Sequence, residues 1–78
     1  MSLAWETTID DVRVVLKQIG KKATPKQVKA IYDDLDADEI ESAALHGDEI
    51  SEQTDYAFKE IHRQIKAMPV YKELGGRK

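Results

Sequence analysis

The sequence predicts an all-α fold, a small single-domain bundle of three to four short helices. Three observations lead there. Apolar residues recur at spacings of three and four along most of the chain. The segments carrying them begin on capping residues and end at glycine or proline. The 78 residues include no cysteine, so a fold of this size must be held by packing amphipathic faces rather than by disulfides or Cys-based zinc sites. Residues 1–7 read as an N-terminal arm, 8–74 as the bundle and 75–78, Gly-Gly-Arg-Lys, as a flexible tail.

The first helix is expected over 8–19. Thr8 followed by Asp11 fits a capping box, and Asp10 and Asp11 suit the positive helix end. Ile9, Val12, Val15, Leu16 and Ile19 form one apolar face, and Gly20 stops the helix. The second helix, 25–35, has the clearest start: Thr24 as N-cap, Pro25 at the first helical position and Gln27 at the third. Val28, Ile31, Tyr32 and Leu35 supply its buried stripe. Beyond Leu35 the stripe loses phase, because Ile40, Ala43 and Ala44 would fall about 140°, 80° and 180° around a continuous helix. A break near Asp36 follows, with Asp36 capping a third helix over 37–46 that Gly47 ends.

Ser51 reads as the cap of a fourth helix, 52–68, carrying the longest stripe: Thr54, Ala57, Phe58, Ile61, Ile65 and Met68. Pro69 ends it by removing a donor and restricting Met68. Val70, Tyr71 and Leu74 extend the apolar pattern by one more turn. Trp5, the only tryptophan, is expected to pack as a lid near the first helix start rather than to anchor a partner.

Charge is segregated along this chain. Between Lys29 and Lys59 stand ten carboxylates and no lysine or arginine, although the net charge is only −3. Asp36, Asp38, Glu39, Glu49 and Glu52 fall near helix starts, where negative charge is stabilising. Asp33 and Asp34 lie in the last turn of the second helix, where each costs about 0.3–1 kcal/mol against the dipole. Glu41 and Asp55 also lack a capping role. Residues placed against local preference point to a functional demand, which makes Asp33, Asp34, Glu41 and Asp55 the candidate partner-binding residues.

Chemistry of other kinds finds no support. Asp34, Asp36 and Asp38 match the first positions of a calcium loop. The match then fails at Glu39, where a glycine is needed, and at Leu45, where a bidentate glutamate belongs. His46 and His62 have no partner at ligand spacing, and Ser42 and Ser51 have no oxyanion context. No catalytic residue, metal site or cofactor is expected, and the chain reads as non-enzymatic. If Asp36 to His46 were a DNA-recognition helix it would present Asp38, Glu39 and Glu41 to phosphates, the wrong sign for the dominant affinity term.

The expectation is therefore a small acidic helical protein that binds another macromolecule. Its 33–55 surface would dock on a basic protein patch, as a DNA-mimic-like modulator. Two alternatives remain. A nucleic-acid accessory protein would use the basic surface of Arg13, Lys17, Lys21, Lys22, Lys26 and Lys29. A homodimeric structural module would bury Trp5, Val14, Val70, Tyr71 and Leu74. No apolar run approaches the ~18–20 residues of a membrane span. The N-terminus lacks a signal-peptide pattern, and the absence of cysteine favours a cytoplasmic setting.

Overall fold

Each expected helix is present in the computed structural model, which describes residues 7–76. Helix α1 spans Ile9–Gln18, α2 Pro25–Asp34, α3 Ala37–Ala44 and α4 Ile50–Ala67. A 3-10 helix, Pro69–Glu73, follows α4. Two short strands, β1 (Lys21–Lys22) and β2 (Gly75–Gly76), pair antiparallel, with Lys21 opposite Gly76 and Lys22 opposite Gly75. Trp5, expected as a lid, lies outside the described residues.

The caps are those that the sequence encodes at α1, α2 and α3. The Thr8 amide donates to the Asp11 carboxylate at 2.9 Å. At α2 the exchange is reciprocal: the Thr24 amide donates to Gln27 Oε1 at 2.9 Å, and the Gln27 amide to Thr24 Oγ1 at 3.1 Å. Asp36 Oδ1 accepts from the Glu39 amide at 3.3 Å, which makes Asp36 a helix cap.

The α3–α4 connection departs from the expected boundaries. Helix α3 ends at Ala44 rather than His46, and α4 starts at Ile50 with Glu49 as N-cap, so Ser51 lies inside the helix instead of capping it. Two features draw the start forward. Glu52 reaches back to accept from the Asp48 amide at 2.8 Å. Gly47 is buried against the first turn of α4, where a Cβ would fall 2.7 Å from the Gln53 amide nitrogen. Gly47 therefore acts by close approach. Among the described residues only Gly20 takes a positive φ, +77°, at the turn from α1 into β1.

The core is one cluster. Val12, Val15 and Leu16 of α1 meet Val28 and Ile31 of α2, Ile40 and Ala44 of α3, and Ala57, Ile61 and Ile65 of α4. Helix α3 packs along α4, and α1 packs on both α2 and α4. Ile31, Ile40, Ile61, Ile65, Val12 and Val15 are fully buried, each contributing about 1.5–3 kcal/mol relative to exposure. Leu74 joins this core, and Val70 and Tyr71 pack against it. Three of the apolar residues proposed for a dimer interface are thus covered within the chain, while Val14 remains exposed. Gly75 and Gly76, expected in a flexible tail, instead form β2, because the buried Leu74 delivers them alongside Lys21 and Lys22.

A further tie crosses the bundle. Gln64 of α4 accepts from the Asp36 amide at 2.8 Å, and its amide nitrogen lies 3.3 Å from the Asp36 carbonyl and 2.9 Å from Glu60. It pins the α2–α3 break to α4. No described helix is long and apolar enough to cross a membrane.

Candidate functional site

The extended residues Leu35 and Asp36 separate α2 from α3, and this junction gathers part of the candidate set. Asp33, in the last turn of α2, and Glu41, in α3, line one cleft of about 410 Å³ together with Tyr32, Leu35 and Ile40. The Tyr32 hydroxyl donates to the Thr7 carbonyl at 3.4 Å and closes one side of it. Two carboxylates thus flank an apolar wall.

Asp34, the neighbour of Asp33, lines a different cleft of about 350 Å³ with Asp36, Glu39, Arg63 and Met68. The helical step of 100° between consecutive residues separates them. Asp55 stands on α4 in a third cleft, about 200 Å³, beside Val15, Ile19, Phe58 and His62. The four candidates are therefore not one constellation. Asp33 and Glu41 share a surface, Asp34 lies beside the α3 cap, and Asp55 belongs to the α1–α4 seam.

Compensation of this charge is sparse. Lys29 Nζ lies 3.2 Å from Asp33 Oδ2, with both side chains more than half exposed, a geometry worth at most about 1 kcal/mol. Among the described residues this is the single salt bridge made by the ten carboxylates between Lys29 and Lys59. Arg63 lines the Asp34 cleft but is engaged elsewhere. Its guanidinium grips Glu60 through two bonds, Nε to Oε1 at 2.9 Å and a second nitrogen to Oε2 at 2.6 Å. That bidentate hydrogen bonding holds the Glu60 carboxyl below the usual carboxylate range; partial burial opposes the shift, and Gln64 assists it.

The histidines have structural surroundings. His46 sits edge-on to Tyr56, with centroids 6.4 Å apart and planes at 76°. His62 is half-buried beside Phe58. Among the described residues no group of three or more His, Cys, Asp or Glu converges as a metal site.

One surface feature escaped the sequence reading. Leu45 and Ile50 are 64% and 70% exposed, flanking the turn that carries Asp48 and Glu49. Leu45 is out of phase with the buried Ile40 and Ala44, whereas Ile50 is in phase with Ala57 and Ile61 and is exposed at the first residue of α4. On the opposite charge, Arg13, Lys17, Lys21 and Lys22 line a cleft of about 410 Å³ between α1 and α2, floored by Leu16 and Val28. Comparison of the chain with protein-family profiles, with curated proteins and with solved structures finds no match in any of the three.

Proposed function

We propose that this chain is a non-enzymatic interaction module that docks its acidic 33–55 surface on a basic patch of another protein, in the manner of a nucleic-acid mimic. One observation carries the reading. A stretch of ten carboxylates without a lysine or arginine makes a single exposed salt bridge among the described residues, so its field is left for an external cation. Asp33 and Glu41 beside the apolar wall of Leu35 and Ile40 supply the centre of the contact. Asp34 extends it toward the α3 cap, and Asp55 is peripheral to it. Such a surface speeds encounter with a cationic partner and disfavours anionic ones. A cytoplasmic working place belongs to the same reading.

The test is affinity capture from the source lysate with the wild type and with the combined Asp33→Lys, Asp34→Lys, Glu41→Lys variant. Circular dichroism establishes that the variant keeps its helicity. The expected outcome is a basic protein retained by the wild type at moderate salt and lost by the variant. Equal retention by both proteins overturns the reading.

A further inference from the structure

The basic cleft between α1 and α2 has a chemistry more specific than a phosphate contact. Its floor is apolar, built on the buried Leu16 and Val28, and Arg13, Lys17, Lys21 and Lys22 line it with no carboxylate among them. Arg13 is already paired with Asp10 at 3.1 Å, and Lys21 lies 4.8 Å over the Tyr71 ring. Lys17 and Lys22 are exposed and make no salt bridge among the described residues. An occupant that satisfies both floor and rim must present apolar side chains and carboxylates together. A nucleic-acid backbone offers negative charge as phosphate, without apolar side chains for the floor.

The chain itself carries such an element. The α3–α4 turn holds Leu45 and Ile50, the two most exposed large apolar side chains among the described residues, around the exposed Asp48 and Glu49. Neither of those acids is in a salt bridge among the described residues, and the Glu49 side chain makes no capping bond. We infer that the α3–α4 turn of one copy seats in the α1–α2 cleft of a second copy, with Leu45 or Ile50 on the apolar floor and Asp48 and Glu49 against Lys17 and Lys22. This rests on the reading of the 33–55 segment as a contact surface and names a basic patch that it meets. The two surfaces lie on different elements, so the contact joins unlike faces and leaves one of each free to continue the assembly.

Sedimentation equilibrium of the purified chain tests it, using a cleft variant (Lys17→Glu, Lys22→Glu) and a turn variant (Asp48→Lys, Glu49→Lys). A second turn variant, Leu45→Ser with Ile50→Ser, alters only exposed side chains and guards against misfolding of the first. At concentrations on the order of 100 µM and low salt, the wild-type mass should rise above the 8.8 kDa monomer and fall back as salt screens the contact. Each variant alone should associate at least about tenfold more weakly. Mixing the cleft variant with the Leu45→Ser, Ile50→Ser variant should restore association only as far as a complex of two copies, because the mixture holds one intact turn and one intact cleft. A mixture that stays monomeric, or a monomeric wild type, overturns the inference. So does a wild type that is monomeric but binds duplex DNA through Lys17 and Lys22, which assigns the cleft to a polyanion. A monomeric wild type that still captures a basic protein through Asp33, Asp34 and Glu41 overturns the self-association alone. Self-association with capture unaffected by those reversals supports it and overturns the docking reading alone.

Discussion

An ideal Cβ on Gly47 would stand 2.7 Å from the Gln53 amide nitrogen, 2.8 Å from the Glu52 carbonyl carbon and 2.9 Å from Glu52 Cβ. Two of those three neighbours are backbone in the first turn of α4, which cannot swing aside as a long side chain would. Gly47→Ala should therefore cost about 1–3 kcal/mol, read as a lower urea midpoint. Gly20 provides the contrast. Its φ of +77° is what excludes a side chain, and nothing lies within 4 Å of its Cβ position. Asparagine tolerates that backbone region, so Gly20→Asn should be milder than Gly20→Ala, whereas Gly47→Asn should be worse than Gly47→Ala. The same ordering at both sites would contradict the steric account. Gly47 was legible as a helix terminator, but the contact that makes it necessary is with residues five and six positions later.

Helix α2 is charged against its own dipole. Lys26 and Lys29 stand in its first half, Asp33 and Asp34 in its last turn, and it has neither an acidic first turn nor a basic last turn. Its strong cap at Thr24 and Gln27 and its buried Val28 and Ile31 offset that arrangement. Asp34 makes no salt bridge among the described residues, whereas Asp33 is partnered by Lys29. Asp34→Asn should thus stabilise the protein by about 0.3–1 kcal/mol, seen as a raised urea midpoint with an unchanged slope. A midpoint that does not rise would show that the dipole cost is already neutralised. The break between α2 and α3 was legible because the apolar stripe changes phase after Leu35. The start of α4 was displaced by two residues because Glu52, rather than Ser51, engages the free backbone donor at Asp48.

Across the whole molecule, the chain end returns to the first turn. Leu74 enters the core, Lys21 lies over Tyr71, and Gly75–Gly76 pair with Lys21–Lys22. Leu74→Ala should cost about 2–4 kcal/mol and should release the Lys21 and Lys22 amides to hydrogen exchange before those of α3 and α4. Simultaneous loss of protection everywhere would mean that the strand pair does not open separately. The sequence by itself determined the helical period, three of the four caps, the phase break at Asp36 and most of the core, since each depends on residues within one or two turns of each other. It also marked the acidic stretch, but as a linear run of charge. Only the tertiary structure decided that Asp33 and Glu41 share a cleft while Asp34 and Asp55 face others, that Gln64 pins Asp36 to α4, and that the last glycines form a strand. Those outcomes depend on how helices cross and on contacts between residues far apart in the chain, which local periodicity does not encode.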